Sequence, residues 1–346
     1  MDRLPKNLSR RRGEALRLGL ATVGLLLLFL VSFSVGRFPI AMSDLLHLLW
    51  SKMTGVPSGL PAAVESVVFN VRGPRVLASM AVGASLAASG AAYQGLFRNP
   101  LVSPDILGVS SGAALGAVLG IYFSLGVIGI QILAFAMGLG AVAAVYSVGA
   151  SIRQHDPVLV LVLAGVVIGT LLGSAVGLIK YLADPYNQLP AITFWLLGSL
   201  AAITSGDFWA ILPAIVLGLV PLYLLRWRMN LMTLGEEEAQ ALGVDTQRIR
   251  FVIVSGATLM TAASVSVSGI IGWIGLLIPH FARLLVGPDF GRLLPASILL
   301  GAGYLLAVDT LARTISNIEV PLGVLTAFIG TPFFIWLLAS PRKAWQ

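Results

Sequence analysis

Apolar and polar positions do not alternate along this chain. They fall into long apolar blocks separated by short polar joints. The blocks lie roughly at 18–36, 73–97, 106–124, 127–150, 157–182, 207–226, 251–270, 271–286, 294–313 and 322–339. Most are near the ~20 residues a helix needs to cross a bilayer, so the pattern predicts ten transmembrane helices. The stretch 38–50, which includes PIAMSDLLHLLW, is amphipathic and ends at Trp50, as in a short interfacial helix. The run 251–286 is interrupted by Gly269, Gly272, Gly275 and Pro279. It reads either as two spans or as one span followed by a re-entrant helix. The first block follows a basic segment, as in a signal peptide, but no small-residue cleavage site follows it and many further blocks do.

Composition sharpens this picture. Of 346 residues, 57% are hydrophobic and 11% charged, and the mean hydropathy is +0.93. A soluble domain carries about 25% charged residues, so lipid must be the solvent for most of this surface. The net charge of +7 fits loops on the cytoplasmic side better than a nucleic-acid partner. With the N-terminus inside and ten crossings, only Arg37, Lys52, Arg72, Arg75, Lys180 and Arg313 of the 22 basic residues fall outside. That bias places both termini in the cytoplasm. The domain reading is a basic N-terminal segment 1–17, one membrane domain 18–340, and a tail 341–346.

Several chemistries are excluded. There is no cysteine, hence no disulfide and no thiolate metal site. His47, His155 and His280 lack metal-ligand spacing. A phosphate-binding P-loop needs Gly-Lys, whereas Lys6, Lys52, Lys180 and Lys343 follow Pro5, Ser51, Ile179 and Arg342. The chain therefore has no ATP site of that type and is not expected to be an enzyme. Asp105, Asp184 and Asp207 read as helix caps or solvated ends. Asp309 is the best intramembrane carboxylate, and Arg313 one turn on is placed to neutralise it. The spans are rich in small residues, including Gly165, Gly169, Gly173 and Gly177 at four-residue steps. Close helix packing and the lining of a wide pathway both fit that spacing.

One segment breaks the greasy pattern. LMTLGEEEAQALGVDTQRIR, at 231–250, is charged and amphipathic. Leu234, Ala239, Leu242 and Val244 can share an apolar side, with Gly243 ending a short helix. A solvated loop and a helix docked in a partner's groove both fit these residues.

Five motifs in fixed order then carry a resemblance: RGPR at 72–75, SGAAYQGLFRNPLVSPDILGVSSGA at 89–113, GEEEAQALGV at 235–244, GIIGWIGLLIPHFAR at 269–283 and PLGVLTAFIGTPFFIWLL at 321–338. From about Leu18 to Leu338 the chain resembles the FecCD family, permease subunits of ATP-driven importers for iron-siderophores, haem and vitamin B12. The resemblance implies an all-α, ten-helix type II importer permease fold in a bacterial inner membrane. It implies a homodimer with the pathway between the two copies. Two ATPase subunits carrying ATP and Mg would sit below, and a periplasmic or lipoprotein binding protein above, so no cofactor is expected on this chain. By the same resemblance, Glu236, Glu237, Glu238, Ala239, Leu242 and Gly243 couple to the ATPase. Arg72, Arg75 and Arg313 take acidic residues of the binding protein. Asn99, Pro100 and Leu101, with Pro157, Val158 and the rest of 155–160, narrow the cytoplasmic mouth. The substrate implied first is a ferric siderophore, with cobalamin, haem and molybdate as alternatives; Tyr186, Phe194 and Trp195, in the 184–200 segment framing the outer mouth, could touch a chelate. Outside the resemblance, the remaining readings are an ion-coupled transporter or channel and, more distantly, a membrane enzyme.

Overall fold

A computed structural model describes residues 6–152 and 157–339. Expectations resting on Arg3, Arg153, His155 or the 341–346 tail lie outside the described residues. The elements run α1 (Lys6–Ser34), α2 (Met42–Thr54), α3 (Ala62–Ser66), a π turn (Val67–Arg72), α4 (Gly73–Leu96), a 3₁₀ turn (Pro104–Leu107) and α5 (Val109–Tyr122). They continue with α6 (Val127–Ser151), α7 (Pro157–Leu182), α8 (Gln188–Leu197), α9 (Ser205–Met232), α10 (Glu236–Ala241), α11 (Thr246–Ser268), α12 (Ile274–Val286), α13 (Phe290–Thr314) and α14 (Leu322–Ala339). Among the described residues, seven spans are long and apolar enough to cross a membrane: α1, α3 through α4, α6, α7, α9, α11 and α13. The shorter apolar helices α5, α12 and α14 complete the ten predicted from the sequence. The interfacial helix is α2, and α8 is an additional short helix.

Two of these helices form the centre. In their most apolar windows α4 and α11 are 78% and 72% buried, against 22% for α6, α7 and α9. Small residues make this possible. A Cβ built on Gly90 of α4 would lie 1.9 Å from the Gly275 carbonyl oxygen, and one on Gly83 would lie 2.2 Å from that of Gly301. The backbones of α4, α12 and α13 therefore touch where no side chain fits. The four glycines of α7 divide. Gly165 packs against the Ile106 carbonyl, while Gly173 and Gly177 have nothing within 4 Å. We predict that Gly90→Val costs at least the upper end of the ~1–3 kcal/mol typical of overpacking. It should abolish the monodisperse peak in size-exclusion chromatography, with Gly177→Ala as the neutral comparison.

Two helix boundaries differ from the expected ones for identifiable reasons. The second span begins at Ala62 rather than near 73, because the π turn absorbs the helix-breaking effect of Pro74. The 251–286 run resolves into α11 and α12, joined by Gly269–Trp273. Gly269 holds φ +67, and its Cβ would strike the Trp195 carbonyl of α8 at 2.2 Å. The Arg17 guanidinium donates to the Leu285 carbonyl at 3.1 Å. That bond puts the end of α12 beside the first half of α1, so α12 returns to the end of the bundle from which α1 starts. Pro279 has no N–H for the Gly275 carbonyl one turn back. Gln94 of α4 donates there at 3.4 Å and to Leu276 at 3.2 Å. Arg283 in turn donates to the Gln94 side-chain oxygen at 3.1 Å, tying the end of α4 to α12.

Candidate functional site at the two ends of the bundle

At the end of the bundle where α12 finishes, α9 runs on to Met232, and α10 with its flanks connects it to α11. The segment is tied down from one side. Glu236 accepts from Arg250 at 2.7 Å and from the Thr246 hydroxyl at 3.1 Å. Gln240 donates to that hydroxyl at 3.0 Å. The C-terminus closes by two bonds. The Gly243 N–H donates to the Gln240 carbonyl at 2.9 Å, and the Val244 N–H to that of Ala239 at 3.0 Å. This is the paired closure expected around a left-handed residue after a helix. Gly243 supplies it at φ +81.

The expected single apolar side is in fact divided. Ala239 (0% exposed) and Val244 (8%) point into the protein, while Leu234 (57%) and Leu242 (60%) point away from it. Glu237, Glu238 and Gly243 are also exposed. Glu236 is thus an internal anchor. The surface offered outward comprises Leu234, Glu237, Glu238 and Leu242.

The expected gate positions lie close to this segment. Asn99 and Leu101 are exposed and Pro100 half-buried. The Asn99 side-chain oxygen accepts from the Leu101 N–H at 2.9 Å, which shapes that turn. Arg98, just before it, comes within 3.7 Å of a Cβ built on Gly235. Pro157 is exposed and Val158 half-buried. Pro157 and Arg250 border one cavity. The first turn therefore lies beside the start of α10, and the start of α7 shares a cavity with the arginine that anchors Glu236.

At the opposite end, the three arginines expected as docking groups turn inward. Arg72, Arg75 and Arg313 are only 5%, 6% and 7% exposed. Arg72 donates to the Phe33 and Phe38 carbonyls at the end of α1. Arg75 donates through Nε to Asp309 at 2.9 Å, and through Nη1 and Nη2 to the two Glu319 oxygens at 3.0 Å each. Arg313 approaches Asp309 at 3.3 Å, the expected pair, and donates to the Ser32 carbonyl at 3.2 Å. Asp309 is fully buried, and Glu319 is 30% exposed. Glu319, not singled out in the sequence, is the member of the cluster that reaches the surface. Asp207 forms the expected cap, accepting from the Thr204 N–H at 2.8 Å.

The sequence signature of the FecCD transport family matches residues 24–340. The chain belongs to the FecCD transport family. This permease is 43% identical over 281 residues to the cobalamin import system permease protein of Halobacterium salinarum, covering 81% of the chain and 75% of the relative. It is 38% identical over 313 residues to the molybdate import system permease protein of Haemophilus influenzae, covering 90% and 92%. Its fold is similar to that of a solved metal-chelate type ABC transporter in an inward-facing conformation. There the TM-score is 0.84 and the identity 37%, over 94% of this chain and 99% of the other. The ten-helix permease fold expected from the motifs is therefore the fold of this chain.

Proposed function

We propose that this permease forms the membrane pathway of an importer for a metal chelate, moved by separate ATPase subunits. The carrying observation is α10. It is anchored through Glu236, Ala239 and Val244, it presents Leu234 and Leu242 outward, and Arg98, beside one expected gate turn, lies close to Gly235 at its start. A small rigid element with exposed leucines at its tip suits a groove on a soluble partner. Asn99–Leu101 and Pro157–Val158 would follow its displacement and change the width of the cytoplasmic mouth. The complete assembly would pair two copies of this chain with two ATPase subunits, which carry ATP and Mg, and with a binding protein outside. Asp309, the one carboxylate that favoured an ion-coupled transporter, is held by two arginines and has no free role in a proton relay. Ferric siderophore is the first substrate proposed, with cobalamin, haem and molybdate as alternatives.

Proteoliposomes test the reading. Uptake of the chelate held by the cognate binding protein should require the ATPase subunits and be blocked by vanadate. Accumulation against a gradient by this chain alone would overturn it.

Docking of the binding protein fits the outer cluster in a specific way. Arg75 has its fork filled by Glu319, and only Glu319 is accessible, so an incoming carboxylate would take the place of Glu319. Glu319→Gln should then raise affinity for the binding protein, as read by pull-down with the folded permease. Unchanged affinity in Glu319→Gln would count against this exchange.

A further inference from the structure

A cavity of about 610 Å³ lies between the end of α6 and the starts of α7 and α11. Tyr146, Ile152 and Leu161 line it together with Gln247 and Arg250, and more of its wall is polar than apolar. Arg250 is 7% exposed. Its Nη2 is paired with Glu236, yet its Nε is buried and finds no acceptor among the described residues. A buried donor left without an acceptor is costly and rare in folded proteins. Gln247 and Arg250 stand in the first turns of α11, a 23-residue helix. Asp245 caps the Arg248 N–H of this terminus at 3.1 Å, and the helix dipole still favours an anion beside it.

A second, apolar cavity of about 430 Å³ runs on between α6 and α11 and shares Tyr146 with the first. Leu139, Val142, Val254 and Leu259 border it. Ala143, Phe251 and Ser255 lie at its exposed side, so it opens laterally from the bundle. The arrangement is a cationic head site at the cytoplasmic edge of the membrane, adjacent across Tyr146 to a slot for a hydrocarbon chain. We propose that this is a binding site for an anionic phospholipid of the inner leaflet, its phosphate on Arg250 and Gln247 and one acyl chain between α6 and α11. A free phosphate would use only the head site. The lateral apolar slot is what favours the lipid. Because Arg250 also seats Glu236, the headgroup would share its guanidinium with the anchor of α10. This links the surrounding lipid to the coupling element, whichever solute is carried.

The test uses the full chain in detergent, stripped of lipid and titrated in native mass spectrometry with phosphatidylglycerol, phosphatidylcholine or inorganic phosphate. Phosphatidylglycerol should bind best. Arg250→Gln and Ala143→Trp, which fills the slot from an exposed position, should each weaken it about tenfold, the scale of one charged hydrogen bond or one buried chain segment. Glu236→Gln, which releases the guanidinium, should strengthen it. If Arg250→Gln disturbs the fold, Ala143→Trp still decides. Equal binding of phosphatidylcholine would overturn the headgroup assignment. Saturation by inorganic phosphate alone, or phosphatidylglycerol binding unchanged by Ala143→Trp, would overturn the lipid assignment.

Discussion

Asp309→Asn should cost this permease its fold. The carboxylate is fully buried and lies 2.9 Å from Arg75 and 3.3 Å from Arg313. Neutralising it leaves two buried guanidinium groups with one partly exposed counter-ion, Glu319. Removing one partner of a buried ion pair typically costs about 3–5 kcal/mol, because the remaining charge stays out of water without compensation. Folded domains have only about 5–15 kcal/mol in hand. The cluster also joins α1, α4 and α13 through the Phe33, Phe38 and Ser32 carbonyls, so its loss loosens three helices together. Thermal denaturation of the detergent-purified protein should show a large drop in midpoint, or no folded material. Glu319→Gln, at the rim of the same cluster, should cost less, since Glu319 is partly solvated and Arg75 keeps Asp309 as its counter-ion. A folded Asp309→Asn variant with the parent midpoint would refute this account.

That cluster also marks the limit of what the sequence discloses. Long apolar runs announce α6 and α7 almost to the residue, since lipid demands an unbroken apolar length. Gly269 correctly breaks the 251–286 run, because only glycine tolerates its backbone there. Pro74 misled in the opposite sense. A π turn accommodates it, and nothing local signals that the helix starts at Ala62. Arg75 is 234 residues from Asp309 and 244 from Glu319, and no periodicity connects positions so far apart. The inward turn of Arg72, Arg75 and Arg313 was invisible for the same reason. The length of α10 was a different obstacle. Six residues make fewer than two turns, too few to fix which leucines face the protein. The sequence therefore grouped Leu234 and Leu242 with Ala239 and Val244, whereas packing against α11 separates them.

The separation makes coupling accessible to experiment. Leu242 is 60% exposed and Ala239 fully buried, so the two positions report on different things. Leu242→Asp leaves the anchors of α10 untouched and should preserve the fold. In a partner's groove, however, a buried leucine contributes about 1.5–3 kcal/mol, which is roughly tenfold or more in affinity, and a buried aspartate adds a penalty of its own. Co-purification of the ATPase subunits should fall by at least that factor, with ATP-dependent uptake lost in proportion. Leu234→Asp should act in the same direction. Ala239→Leu should instead overpack the seat of α10 and lower stability before it lowers assembly. Gly243→Ala separates geometry from contact. Its Cβ would meet nothing within 4 Å, so its effect comes only from the left-handed backbone at φ +81, a strain of about 1–2 kcal/mol. It should weaken coupling mildly. Full assembly and uptake in Leu242→Asp would mean that α10 faces solvent and that the motor grips this permease elsewhere.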